Sequence, residues 1–527
     1  MTVETNQNTS ATPEKHRWAI PIALLLILAI AFAIRLHDIA RESLWSDEVL
    51  THHIANKPFA QLFYDVAKFE QIPPVHHLIV HVWIRLFGDS ERSLRFPSLL
   101  AGVASVWVIY LLGRRLVGLA GAFAAALLLA VSPFHIIYAH EARAYTLMVL
   151  AGLLSTLAFA RLIDRPTIKR EVIYVLSSAM LLYVHLYGGF ALAAHQVAFL
   201  VYWCGARRRH GELLLAGPLA ERDDLRTEVS TLEQVPAPIT HDESDYLTSR
   251  APPSGRLIEE TRLTLKRWVT LSFAIALLFA PYLQTVRTWF KSVGVNFWVK
   301  KVTWDDVSYA FNVYSGSVPL YILSIVLVVI GVRAIWRYQN QTGRAYGVSL
   351  LLSLLLLPVI LPVLYSVLRT PVFSPRYGIL ASTALYLLAG AGATALKPMA
   401  LRMLLVGVLV GLNLVAKPVD PWKAHWREVG DYLAACMQPG DLAIVHIKAS
   451  ARQYDYYVGR RRPDVPRIGF DGGAAPVSLP LASGRRVWFV NYGRFAPPQE
   501  ILNRGNWRVL SGKWFPDGIV VMELDDE

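Results

Sequence analysis

Two adjacent carboxylates, Asp47 and Glu48, follow a tryptophan in the stretch Leu44-Trp45-Ser46-Asp47-Glu48-Val49, just after the first long apolar segment of the chain. Near a bilayer an unpaired carboxylate is costly and usually has a partner or a task. Neighbouring carboxylates raise each other's pKa, which suits a general base or a cation site. The plainer reading is a solvated loop with incidental acids. The position of the pair, between an apolar segment and the helix start at Pro73-Pro74, favours chemistry. A second group is histidine: His52, His53, His76, His77 and His81. Histidines with an acid could hold a metal, but no spacing of the His-Glu-x-x-His kind occurs. No metal ligand is assigned, a divalent cation stays an option, and no cofactor is required. Wet histidines on an interfacial helix explain the cluster equally. One of His76 and His77 is expected to line a cavity.

The elements that must position these groups are set by composition. Of 527 residues, 54% are hydrophobic and 17% charged, against about 25% charged in soluble domains, and the mean hydropathy is +0.38. Apolar runs of membrane-spanning length recur, so a polytopic α-helical membrane protein is expected. The net charge of +13 does not indicate nucleic acid, because Lys and Arg gather at the ends of apolar segments, as the positive-inside rule requires. Membrane lipids are the expected partners of that charge. Cys204 and Cys436 fall near opposite faces of this topology, so no disulfide is expected.

Eleven spans are expected, over residues 18–36, 94–113, 116–131, 145–162, 172–186, 189–204, 268–283, 318–335, 346–365, 378–396 and 403–415. Residues 1–17 read as a disordered cytoplasmic N-terminus, and the first apolar run as a retained anchor rather than a cleaved signal. The transmembrane domain then covers 18–417, with an external loop at 37–92. Within that loop about thirteen residues separate Pro74 from Gly88, too few for about 30 Å of hydrocarbon, so 75–87 reads as an interfacial amphipathic helix. With that choice the inward spans end on basic clusters such as Arg114-Arg115 and Arg207-Arg208-Arg209. Residues 210–265 read as a partly disordered cytoplasmic insertion. From 418 to 527 hydropathy drops, and a helix at 426–436 with strands at 442–447, 486–491 and 518–524 indicates a small external α/β domain. It has no Gly-x-Gly-x-x-Gly and no P-loop.

This topology leaves arginines where the charge rule does not want them, at external span ends: Arg92, Arg95, Arg143, Arg369 and Arg376. Guanidinium groups bind phosphate bidentately and keep their charge; lipid-headgroup anchoring is the alternative, above all for Arg92 and Arg95. Arg143 and Arg376 stand in fuller settings, His140-Glu141-Ala142-Arg143-Ala144-Tyr145 and Ser374-Pro375-Arg376-Tyr377.

Several short motifs occur in order: Leu44-Trp45-Ser46-Asp47-Glu48, Pro73-Pro74, Phe87-Gly88-Asp89-Ser90-Glu91, Arg95-Phe96-Pro97-Ser98, Ser132-Pro133-Phe134, Glu141-Ala142-Arg143-Ala144-Tyr145 and Ser374-Pro375-Arg376-Tyr377. Together they resemble the bacterial family-39-type glycosyltransferases, relatives of protein O-mannosyltransferases and of the aminoarabinose transferase that modifies lipid A. The resemblance implies a GT-C fold and a polyprenyl-phosphate-linked sugar donor. It maps the catalytic acid onto Asp47 with Glu48 beside it, and it leaves the acceptor, whether lipid, glycan or protein, undefined. The expected donor-phosphate residues are Arg143, Arg376 and Arg95. The expected cavity residues are Trp45, His76, His77, Glu141, Tyr145 and Tyr377. Val75-His76-His77 stands where relatives have Leu-Tyr-Tyr, which points to a different acceptor side. A transporter or flippase of lipid-linked sugar is a rival reading, as is a non-catalytic assembly protein; transporters place ionisable residues at the bilayer midplane and carry repeats, and neither is evident here.

Overall fold

The computed structural model describes residues 18–70, 72–205, 207, 263–296, 301–342, 346–416, 423–446, 450–470, 486–492, 507–516 and 518–526. The expected N-terminal tail lies outside these, as does nearly all of the 210–265 insertion.

Helices in chain order are α1 Ala19–Leu36, α2 Ser46–Ala55, α3 Phe59–Phe69, α4 Val75–Phe87, α5 Glu91–Leu116, α6 Gly118–Val131, α7 Pro133–Ala139, α8 Tyr145–Asp164 and α9 Ile168–Val184. They continue with α10 at 189–205, then α11 Leu265–Phe279, α12 Leu283–Asn296, α13 Trp304–Ser315, α14 Val318–Thr342, α15 Gly347–Leu368, α16 Ile379–Ala395 and α17 Met399–Val415. The region expected as an external loop is therefore mostly helical, folded as α2, α3 and α4. Helix α4 is apolar but has 13 residues, too short to span.

Among the described residues eight helices are long and apolar enough to cross a membrane, or nine if the bent pair α6 and α7 counts as one span. The expected count of eleven is not confirmed among the described residues. Helices α9 and α17 have 17 residues each, about 26 Å of rise against about 30 Å of hydrocarbon. The protein is a multi-pass membrane protein with a small C-terminal sheet.

The chain forms two compact units. One comprises 1–106, 130–147 and 412–527; the other comprises 107–129 and 148–411. In the second unit α14 and α16 pack at backbone distance. A Cβ added at Gly331 would strike the Leu388 carbonyl, and one at Gly392 would strike that of Leu327, the small-residue contact that membrane helices use in place of a hydrophobic drive.

The first unit contains the C-terminal sheet. Helix α18, Trp426–Cys436, lies where the sequence indicates it. Strands β1 Leu442–His446, β2 Arg467–Phe470, β3 Val487–Tyr492, β4 Trp507–Trp514 and β5 Ile519–Asp526 are ordered β2-β1-β3-β5-β4. β1 runs parallel to β2 and β3, and β5 runs antiparallel to β3 and β4. Alternate residues face opposite sides. Leu442, Ile444, Val487, Phe489 and Leu524 form one small core. Ala443, Val445, Trp488, Val490 and Val521 enter a larger one, together with Trp426, Val429 and Leu433 of α18. That larger core also takes in Leu44, Val49, Ala55, Val80, Ile84, Leu94 and Ala142. The sheet and the helices that follow α1 thus bury their apolar faces against each other, and the C-terminal segment is not a separate body.

Candidate active site

Asp47 and Glu48 sit in the first turn of α2, where the exposed N–H groups of a helix start favour negative charge. Consecutive helical residues point about 100° apart, so the two carboxylates diverge. Glu48 is fully buried, whereas the Asp47 side chain is 34% exposed.

Glu48 is held from four directions. Arg95 of α5 grips it as a fork, Nε to Oε1 at 2.8 Å and Nη2 to Oε2 at 2.9 Å. The Ala142 amide donates to Oε1 at 2.8 Å, the Trp45 amide to Oε2 at 3.3 Å, and Lys423 Nζ lies 3.2 Å from Oε2. Burial alone would raise this carboxyl. Arg95 and Lys423 outweigh it and hold the pKa down at about 2. Mutual repulsion with Asp47 does not set its charge, contrary to the expectation for adjacent acids.

Arg95 does not serve the donor phosphate as expected. Its remaining N–H groups go to the carbonyls of Ile39 (3.0 Å), Glu42 (2.8 Å) and Ser43 (3.1 Å). A guanidinium has five donors, and all five are used in a side chain 1% exposed. Arg95 and Glu48 are the brace that fixes the start of α2.

A second buried pair flanks Asp47. Arg143, in the turn before α8, donates through Nη1 and Nη2 to Glu70 at 2.8 and 3.2 Å. Nη1 also reaches the Asp47 carbonyl and Thr51 Oγ1, each at 3.3 Å, and Nη2 lies 3.9 Å from the Asp47 carboxylate. Burial would raise the Glu70 carboxyl, but Arg143 and His77, whose Nε2 is 3.7 Å away, hold it well below the carboxylate range. Neither Glu70 nor Lys423 was expected from the sequence. Glu70 caps the C-terminal end of α3 as a lone acid outside any motif, and Lys423 is 375 positions from Glu48.

The expected cavity residues are mostly covered. His76 and His77 are both buried, edge-on to each other at 5.7 Å between ring centres, so neither lines an open cavity. Glu141 and Tyr145 are also buried, with Tyr145 edge-on to Tyr138. Trp45 is half-buried. Arg376 and Tyr377 belong to the second unit. There the Arg376 guanidinium lies over the Tyr377 ring at 5.3 Å, and Tyr377 stacks on Tyr187 at 4.7 Å. Among the described residues no three His, Cys, Asp or Glu side chains converge as they would around a metal. Both cysteines are free.

The Glu48 brace has a pH signature. Its folded pKa of about 2 lies below the ordinary 4.5, so the stability it contributes is present above pH 4.5 and is lost as pH falls through about 2. The difference in melting temperature between wild type and Glu48→Gln should be widest near neutrality and shrink across that window. A difference independent of pH between 6 and 2.5 would contradict the ion-pair assignment.

Residues 71–213 match the family described as Dolichyl-phosphate-mannose-protein mannosyltransferase, a segment that holds Arg95 and Arg143 but not Asp47. Over 154 residues the chain is 29% identical to "Putative mannosyltransferase YkcB" of Bacillus subtilis (strain 168), covering 27% of this chain and 21% of that one. The match thus spans about a fifth of that relative's length. ArnT from Cupriavidus metallidurans in the apo state superposes with a TM-score of 0.57 at 13% identity, over 96% of this chain and 98% of that chain. ArnT bound to undecaprenyl phosphate gives 0.51 at 13% identity, over 95% and 97%. At such identity the likeness shows the fold. The chain therefore has the GT-C fold of the membrane glycosyltransferases, and its residues 71–213 are similar to the dolichyl-phosphate-mannose-protein mannosyltransferases.

Proposed function

We propose that the protein transfers a sugar, hexose or pentose, from a polyprenyl-phosphate carrier to an acceptor at the outer face of the cytoplasmic membrane. The observation that carries this reading is the partly exposed Asp47 carboxylate, fixed at a helix start between two buried ion pairs on a chain of this fold. ArnT, the structural neighbour, has been seen bound to undecaprenyl phosphate, which supports a polyprenyl carrier. The outward placement of α2 to α4 is supported by the basic clusters that close the inward spans.

In the proposed reaction Asp47 accepts the proton of an acceptor hydroxyl or amine as that group attacks the anomeric carbon. The bond from carbon to phosphate oxygen breaks, and polyprenyl phosphate leaves with the electron pair. Arg143 Nε–H is buried and has no acceptor among the described residues, so it is the donor offered to a donor-substrate oxygen. The developing charge of the leaving phosphate needs a fixed cation, the role expected from the sequence for Arg376.

The test is turnover by the purified protein in lipid discs with polyprenyl-phosphate donors carrying labelled hexose or pentose. Label should leave the lipid and polyprenyl phosphate should accumulate. Complete retention of label across the donor panel would overturn the reading, and movement of intact donor across the bilayer without cleavage would support a flippase instead.

A further inference from the structure

A half-open cavity of about 340 Å³ lies within the first unit, apart from the two buried ion pairs. One wall is a face of α2 and its C-cap: Val49, His52, His53 and Asn56 follow the 3–4 residue spacing of one helix stripe. The opposite wall is the short helix Ala451–Tyr454 and the π-turn after it, contributing Arg452, Tyr456 and Arg460.

The acids of the cavity are already satisfied. Asp89 lies 2.7 Å from Arg460 Nη2 and 2.9 Å from His52 Nε2, and Asp455 is gripped by both Nε and Nη2 of Arg467. Two cations are not. Neither Lys57 nor Arg452 has an ion-pair partner among the described residues, and Arg452 has only the Phe69 ring, 5.9 Å away. Burial, Lys57 and Arg452 in turn depress the pKa of His53, leaving a neutral imidazole that can donate or accept a hydrogen bond. The cavity thus holds two cations without an ion-pair partner among the described residues, with the buried Asp65 carboxylate acting on His53 in the opposite sense, beside neutral hydrogen-bonding groups, a composition that favours an anion.

We propose that this cavity binds an anionic group, a phosphate or a carboxylate, with Lys57 and Arg452 neutralising it and His53 and Asn56 hydrogen-bonding it. His53 lies six residues along α2 from Asp47, about 9 Å of helix rise. At about 100° per residue the cavity stripe also faces roughly half a turn away from Asp47, so the anion site is separate from the proposed reaction centre. The anion site does not rest on the transferase reading.

The experiment is equilibrium binding of radiolabelled inorganic phosphate to the full chain in phosphatidylcholine discs at low ionic strength. Saturable binding is expected, weakened about tenfold by Lys57→Ala or Arg452→Ala and abolished in the double variant, with melting temperatures unchanged. Discs containing phosphatidylglycerol should displace the label if the natural anion is a lipid headgroup and leave it in place if the anion is soluble. Equal binding by wild type and double variant, or none by wild type, overturns the site. Release of polyprenyl phosphate by the wild-type protein is measured separately: its absence would remove the transferase reading and leave the phosphate result standing.

Discussion

Asp47→Asn should lower sugar transfer by about 10²–10⁴-fold, the usual contribution of a positioned general base, while leaving the fold intact. The contacts that bind this residue into the structure run through its backbone: Arg143 and Thr51 both donate to its carbonyl oxygen, and asparagine keeps that atom. The carboxylate itself takes a long contact from Ser46 Oγ at 3.5 Å and a loose ion pair with Arg143 at 3.9 Å in a partly exposed position, a class of interaction worth at most about 1 kcal/mol. The substitution therefore separates chemistry from stability. Initial rates with a labelled lipid donor, set beside melting curves of the same preparations, make the comparison. Turnover within a few fold of wild type would remove Asp47 from the reaction.

Arg95→Ala should do the opposite, costing about 3–5 kcal/mol of stability, because it leaves a buried Glu48 that only Lys423 can still neutralise. Five hydrogen bonds disappear with the guanidinium. The loss is a large share of the about 5–15 kcal/mol that holds a typical domain. Arg95→Lys should recover little, since an ammonium cannot reproduce the fork on Glu48 and the three carbonyl contacts together. Thermal unfolding in detergent, with yield of monodisperse protein, reports the effect. If Arg95 instead served the donor phosphate, the variant would melt normally and show a raised KM for donor.

These two variants show what residue type alone could and could not reveal. Asp47 and Glu48 are equivalent as letters in a motif. Which one turns inward depends on α2 beginning at Ser46 and on Arg95, 47 positions away, reaching it. Arg95 and Arg143 stand out because the expected topology puts them where the charge rule does not want them; in the structure each forks onto an acid of the chain, Glu48 or Glu70, and spends further donors on backbone carbonyls. The spans were legible because long apolar runs need no partner to be recognised. Of the expected spans, 172–186 and 403–415 fall in α9 and α17, helices of 17 residues each, with α9 opening on Lys169-Arg170-Glu171, and 116–131 is one arm of the bent pair α6 and α7. In the sheet, β1, β3 and β5 announce themselves through Val, Ile and Phe. β2 has only four residues, and β4 is an edge strand with exposed side chains from Arg508 to Trp514, so neither carries a periodic apolar signal.

The shared core of the first unit has a consequence for biosynthesis. The Leu44 amide donates to the Tyr457 hydroxyl, 413 positions later, at 2.6 Å; the same hydroxyl donates to Glu91, which also takes Arg427. Closing contacts over such separations is slow, and here the closing partner leaves the ribosome 413 positions after Leu44. Asp47 emerges early, yet the start of α2 cannot be fully braced until Lys423 and Tyr457 have been made. A chain cut short before Lys423 would carry an α2 start without its full brace, and under the proposed transferase reading it would not turn over a lipid donor.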